Sequence, residues 1–410
     1  MALLPSAYKS GKVYSALPSD GSGDFYFNRN TEASRVNQHG LVEFVGSNIP
    51  RLDYTGSLCP FLLLEGKSTN IVLNSSLFNS TSWNKVNTTV DENIEVSPSG
   101  LLDADKIARS SSSASYIKQG CTKSSASAID VSASVFVKKG NSNFFAMKVE
   151  GVNPNRADLI YNFETGGLTS SVGNGVLFIK EYSAEDYIDG WVRLSMTVNT
   201  DTSSSVALSL AAKSEESFTD DSDASNSAFV FVWGAQMEES ISKTSYIETT
   251  NTSVTREGDR CVGSGNSTLF NITEGTLYAS VTPLSSSSDS YITLSNGSTN
   301  EQVSFIFDSG NYSVNVVVKS GGVDSVNKSL DISLSYKNKL AVSFAYDEFK
   351  IYLNGSLIHE DLSGSTPNGL STLNFSNTSA STYFLKSKVF GARVYDKALT
   401  DEELTKLTKI

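Results

Sequence analysis

The dipeptide Asn354-Gly355, set in an alternating run, constrains the fold more than any other stretch of the chain. In Phe349-Lys350-Ile351-Tyr352-Leu353 the residues Phe349, Ile351 and Leu353 recur at a period of two, which puts them on one face of a strand. Asn and Gly take up positive φ most readily, so together they predict a type I′ turn and an antiparallel return strand. Further on, Val389 to Tyr395 is followed by Leu399-Thr400-Asp401-Glu402-Glu403-Leu404. Thr400 stands where an N-cap belongs, Glu403 completes a capping box, and Leu399 with Leu404 has the spacing of a hydrophobic staple. Residues 341–410 are therefore expected to hold a hairpin and then a short capped helix.

Composition extends this reading to the whole chain. The 410 residues have room for roughly two to three domains. Charged residues make up 19%, and Ser, Thr and Asn stand where charge is missing. Val, Ile, Phe and Tyr dominate the apolar set, which suits sheets with hydroxyl-rich outer faces. An all-β protein is expected. The net charge of −12 and pI near 4.8 argue against nucleic acid, because phosphate binding needs clustered Lys and Arg, and against an anionic membrane surface. No apolar run reaches the length of a membrane span, so no membrane insertion is expected. Met1 to Ser10 lacks the basic flank and apolar core of a signal peptide, and synthesis in a cytoplasm is expected. Cys59, Cys121 and Cys261 are odd in number without C-x-x-C spacing, and read as reduced or buried thiols. The Asn-x-Ser/Thr sequons at Asn79, Asn87, Asn266, Asn271, Asn354 and Asn377 read as a by-product of the Asn, Ser and Thr content.

Three sections follow from the punctuation. Residues 1–66 carry short apolar clusters between Gly, Asp, Ser and Pro, and read as an extended N-terminal arm. Its aromatic residues Tyr8, Phe25, Tyr26 and Phe27 are expected to be packed anchors, since an arm without its own core must bury them against something. Residues 67–262 read as a β-sandwich: Val131 to Lys139 alternates and ends in the turn signal Gly140-Asn141-Ser142-Asn143. Residues 263–410 read as a second sandwich, with an alternating strand from Glu274, a solvated Ser285–Ser290 loop and a turn at Asn296-Gly297. The expected architecture is tandem β-sandwich (jelly-roll) domains preceded by the arm.

The chemistry-bearing residues are sparse. His39 and His359 lie in different sections, which gives little material for a catalytic triad. The nearest approach to an E-x-D-x-x-E glycosidase pattern, Glu257-Gly258-Asp259-Arg260-Cys261-Val262, has Val262 where the acid/base Glu would stand. Repeated Asp boxes are absent. No enzyme is expected, and no catalytic residue, cofactor or metal is assigned. The acidic stretch Asp220-Asp221-Ser222-Asp223 places oxygen ligands at short spacing, as rim calcium would require. It lacks the central Gly and distal Glu of an EF-hand loop, so a solvated loop is preferred. Trp191 and Trp233 fall inside alternating strands and are expected in a core. Trp83, in a polar context, is the weak candidate for stacking on a sugar.

Two resemblances bear on function. The Tyr352-Leu353-Asn354-Gly355 turn with Val394-Tyr395-Asp396-Lys397-Ala398-Leu399-Thr400-Asp401-Glu402-Glu403-Leu404 resembles the closing section of a concanavalin A-like, laminin-G-like lectin domain. That resemblance implies a jelly roll used mainly to bind sugars or proteins. Arg51-Leu52-Asp53-Tyr54 ahead of Leu62-Leu63-Leu64-Glu65 and Thr69-Asn70 resembles the opening segment of virion structural proteins of tailed bacteriophages. Gly190-Trp191-Val192-Arg193, Trp233-Gly234-Ala235-Gln236, Thr244-Ser245-Tyr246-Ile247 and Thr255-Arg256…Asp259 look like the carbohydrate-binding-module-like sandwich of phage fibre and appendage proteins. Together they imply a non-enzymatic structural component of a phage virion: a tail fibre, head fibre or collar appendage located on the particle. The implied partners are other virion proteins through the arm, copies of itself as a homo-oligomer (a trimer by analogy), and cell-surface glycans. The rival readings are a polysaccharide-active depolymerase, which needs converging carboxylates in a groove, and a secreted carbohydrate-binding adhesin, which needs an export signal.

Overall fold

A computed structural model describes residues 1–172, 175–217, 223–270, 273–285, 287–308, 310, 312–334, 336–378 and 383–410. The chain divides into two compact units, one built from Met1–Glu32, Val45–Lys67 and Glu257–Ile410, the other from Ala33–Phe44 and Ser68–Arg256. Nearly all regular structure is antiparallel strand, as the β-branched and aromatic composition requires.

The first unit stacks two principal sheets. One runs Ser356–Asp361, Glu348–Leu353, Asn338–Ala345, Gly275–Pro283, Ser387–Tyr395, Phe61–Leu64, Arg51–Asp53, with Ala2–Leu3 also paired to Ser387–Tyr395. The other runs Val323–Asp331, Ser313–Ser320, Gln302–Asp308, Ser290–Ser295, Thr372–Asn374. Alternate residues of both sheets fill one core, among them Leu277, Val281, Leu294, Phe305, Val316, Val342, Ile351 and Val389. Asn354 and Gly355 have φ of 52° and 89°, as the type I′ turn demands, and they join Glu348–Leu353 to Ser356–Asp361. The helix Asp401–Thr408 begins at a complete capping box between Thr400 and Glu403. Leu399 and Leu404 then pack on Tyr278, Ala341 and Tyr352, on the outer face of the larger sheet. Burying a leucine like Leu404 contributes about 2 kcal/mol.

Residues 1–66 do not form an arm. Arg51–Asp53 and Phe61–Leu64 extend the larger sheet, while Phe25–Asn28 pairs with Arg260–Val262. Leu3, Phe25, Phe27, Leu52, Leu62 and Leu64 enter the core of that unit. The physical reason is that apolar clusters with open backbone ladders are stabilised only when both are satisfied. Phe25 stacks on Phe375 with ring centroids 4.6 Å apart. Residues 33–44 instead belong to the second unit, so contiguous boundaries at 66 and 262 do not describe these units.

The second unit is a sandwich of two six-stranded sheets. One has the order Asn84–Val86, Tyr116–Thr122, Ser205–Lys213, Phe144–Glu150, Arg156–Asn162, Leu168–Val172. The other has Thr88–Val96, Leu102–Arg109, Phe229–Glu238, Asp130–Lys139, Trp191–Asn199, Phe178–Asp186. Their inward faces meet in a core that includes Val135, Phe145, Met147, Leu194, Leu208 and Val232. Trp191 and Trp233 are buried as expected, but outside that core. They cluster with Phe136 and Tyr246 beneath Val36, Val42 and Phe44 of the Ala33–Val36 and Val42–Val45 hairpin.

Candidate functional site

Four segments of the first unit end around one polar cleft of about 370 Å³. The strand Phe25–Asn28 supplies Asn28, with Asn30 just beyond it. Phe61–Leu64 runs out into Glu65-Gly66-Lys67. Glu257-Gly258-Asp259 leads into the strand Arg260–Val262, and Phe384 with Lys386 precedes the strand Ser387–Tyr395. Gly258 lets two of these segments approach closely: a Cβ there would lie 3.1 Å from the Lys67 backbone nitrogen.

The floor is a buried ionic network. Asp259 Oδ1 accepts from Arg29 Nη1 at 3.0 Å, and its Oδ2 accepts from Arg51 and from the Glu65 backbone N–H at 2.9 Å. Arg51 also donates to Glu65 Oε2 at 2.7 Å. Arg29 is held further by the carbonyls of Thr31 at 2.9 Å and Gly46 at 3.0 Å. Burial works against the Arg51 charge, yet Asp259 and Glu65 outweigh it and lift the guanidinium pKa above its ordinary value. Arg51, Glu65 and Asp259 belong to three separate sequence motifs, and folding brings them together.

The rim faces solvent. Lys67 and Glu257 pair at 3.1 Å, both well exposed. The Arg260 guanidinium sits over the Phe384 ring, 4.8 Å from its centroid, a cation–π geometry that orients both. Asn28 donates to Asn48 Oδ1 at 2.9 Å and to Asn30 Oδ1 at 3.2 Å. Lys386 donates to Ser288 Oγ at 2.7 Å. Burial, only partly offset by Asp289, holds the Lys386 ammonium below its usual pKa. The rim thus offers ammonium, guanidinium and amide donors, one carboxylate acceptor and an aromatic edge.

Hydrolysis is a poor match for this geometry. Glycoside cleavage uses two carboxyl groups facing the scissile bond, about 5 to 9.5 Å apart. Of the three carboxylates here, Asp259 and Glu65 are bound to arginines in the floor, which leaves Glu257. Among the described residues no group of three or more His, Cys, Asp or Glu side chains is placed to hold a metal ion.

The residues singled out from the sequence fall elsewhere. Trp83 is 1% exposed, packs on Phe78 at 5.1 Å and donates its Nε1–H to the Asn74 carbonyl at 3.2 Å. It fills the sandwich interior and offers no face to a sugar; its indole N–H found a backbone partner that the surrounding polar letters concealed. Phe25 and Phe27 are buried, and Tyr8 packs partly buried against the same core. Tyr26 is the exception at 65% exposed, because strand alternation turns it outward between those two phenylalanines. His39 and His359 belong to different units. Of the acidic stretch, Asp220, Asp221 and Ser222 lie outside the described residues. Asp223 accepts from the Ser214 N–H at 2.7 Å and the Ser225 N–H at 2.8 Å. Sequence reasoning passed over Arg260 and Phe384. Arg260 sits within the failed glycosidase pattern, and nothing in the sequence marks Phe384.

Comparison with known proteins agrees with the sheets. Residues 242–405 match the family model for the concanavalin A-like lectin/glucanases superfamily, which covers most of the contiguous C-terminal part of the first unit. The matched residues supply most strands of the two-sheet sandwich in that unit. The chain is also similar to the CBM40 of Ruminococcus gnavus IT-sialidase bound to alpha2,3 sialyllactose, at 17% identity over 36% of this chain and 93% of that one, TM-score 0.29. Mouse laminin alpha1 chain, domains LG4-5, is similar at 10% identity over 70% and 90%, TM-score 0.24. Trypanosoma rangeli sialidase in complex with the inhibitor DANA is similar at 8% identity over 74% and 60%, TM-score 0.30. At such scores these likenesses carry no argument about ligands. No curated protein matches the chain in sequence.

Proposed function

We propose that the chain is a non-catalytic glycan-binding structural protein of a phage particle, a component of a fibre or collar appendage, and that the Arg260–Phe384 cleft is where it engages sugar. The observation that carries the binding role is the cleft itself, in which hydrogen-bonding groups of both signs surround an aromatic side chain on a rigid ionic floor. A pyranose presents hydroxyls that donate and accept, together with apolar C–H faces, and a site of this composition matches both. Support for the virion assignment comes from the sequence resemblance across the Arg51–Glu65 and Trp233–Asp259 motifs. Copies gathered on a particle, as a homo-oligomer for which a trimer is the expected state, would raise a weak single-site affinity through multivalency.

The test of the structural role is electron microscopy of intact phage particles labelled with an antibody against residues 263–410. Label on fibres, collar or tail tip supports the assignment, and particles without label overturn it.

A further inference from the structure

The outer face of the larger sheet in the first unit carries four cations without a carboxylate partner, although the chain as a whole has a net charge of −12. Lys339 lies on the strand Asn338–Ala345, Lys337 immediately precedes it, and Lys388 and Arg393 lie on Ser387–Tyr395. The strand Gly275–Pro283 runs between them. In register, Ser280 is opposite Lys339, Tyr278 opposite Arg393 and Thr282 opposite Lys388. Because Leu277, Ala279 and Val281 point into the core, Tyr278, Ser280 and Thr282 share the outward face with these cations.

Each cation is held by something other than an acid. Lys337 Nζ stands 5.2 Å from the Phe390 centroid and Lys388 Nζ 5.2 Å from that of Phe61. Arg393 lies 5.8 Å from the Tyr278 centroid and donates to Tyr395 Oη at 3.2 Å. Lys339 donates to the Lys409 carbonyl at 2.5 Å. Among the described residues none of the four makes an ion pair. Asp396, the carboxylate nearest in sequence to Arg393, acts on the Met1 amine. Burial first, and then the charges of Lys337 and Arg393, hold the Lys339 ammonium below its ordinary pKa, as expected of clustered like charges. Surface lysines of an acidic protein lower their energy by finding carboxylates, so a strip that keeps four cations apart from them is set up for an external anion.

We infer that this strip is a second binding surface, separate from the cleft, for an acidic polysaccharide whose sugar units carry carboxylates. Three strands span about 10 Å, room for a few units of a flexible anionic chain. Duplex DNA fits less well, since a stiff polyanion would press its remaining phosphates against the acidic rest of the molecule. The rings beneath the lysines fix the cations in place, so less side-chain freedom is lost when the anion arrives.

The test measures retention of the full chain on immobilised polygalacturonate and on its methyl ester, the same backbone without charge, at low and high salt. The expected result is retention on the acid form only, falling steeply with salt. The double variant Lys337→Gln/Lys339→Gln is expected to bind roughly tenfold more weakly with a shallower salt dependence. Lys337→Gln alone, at an exposed position, is expected to weaken binding roughly threefold with an unchanged melting temperature. Equal retention on the ester, undiminished binding by both variants, or tighter binding to duplex DNA would each overturn the inference. Phe384→Ala separates the two surfaces: neutral-sugar binding that survives this substitution, with polygalacturonate retention intact, locates a failure in the cleft reading alone.

Discussion

Arg29 and Asp259, 230 residues apart in sequence, meet in a fully buried ion pair at 3.0 Å. Asp259 also receives Arg51, which in turn holds Glu65, so one carboxylate ties the strands around the cleft to each other. Taking four charges out of water is costly, and such a network adds little net stability over an apolar equivalent. What it does is fix where Arg260, the next residue, emerges.

Removing Asp259 leaves two buried guanidinium groups without their shared partner. Asp259→Ala is expected to destabilise the first unit by about 3 to 5 kcal/mol. Urea unfolding followed by tryptophan-independent far-UV signal should show it as a lower midpoint, because all three tryptophans lie in the second unit.

Trp83 separates a packing role from a binding role. Trp83→Ala should cost about 3 to 5 kcal/mol by opening a cavity beside Phe78. Glycan binding by the fraction that remains folded should be unaffected, as measured by titration below the melting transition.

Asp105 makes the second unit sensitive to pH. Burial lifts its carboxyl from 3.8 to about 6 despite hydrogen bonds from the Asn93 and Phe78 N–H groups, with Glu92 and Asp103 adding to the rise. The folded state therefore binds the proton more tightly than the unfolded chain. The stabilisation from this group is fully present below about 3.8 and is lost as pH rises through about 6. A carboxyl-carbon NMR titration should show the inflection, and Asp105→Asn should flatten that part of the stability profile.

The capped helix yields a graded pair. Thr400→Ala removes the acceptor for the Glu403 N–H and should cost about 1 kcal/mol. Leu404→Ala, which strips the helix of its contact with Tyr278 and Tyr352, should cost about 2 to 5 kcal/mol. Thermal melts of the two variants should rank in that order.

Local signals in the sequence translated directly into structure. Asn354-Gly355, the Thr400–Glu403 box and the alternation around Val131 each depend on neighbours within a few residues, so their outcome was legible. The fate of residues 1–66 was not, because strand pairing such as Phe27 with Cys261 joins segments over two hundred positions apart. Trp83 misled for a related reason: its burial depends on Phe78 and the Asn74 carbonyl, reached only after the chain turns. The cleft was least legible of all. Arg51, Glu65 and Asp259 were visible as motif residues, but their convergence is a tertiary fact, and Phe384 carries no motif.

The cleft is tested most directly by saturation-transfer NMR of the full chain with a panel of neutral oligosaccharides, repeated on Phe384→Ala and Arg260→Ala. Both substitutions change rim side chains and should leave the melting temperature within about 1 °C, a surface-sized effect. The predicted result is saturation transfer to one class of sugar by the native chain and its loss in both variants. Undiminished transfer in the two variants, or none from any sugar to begin with, would contradict a glycan site at Arg260 and Phe384.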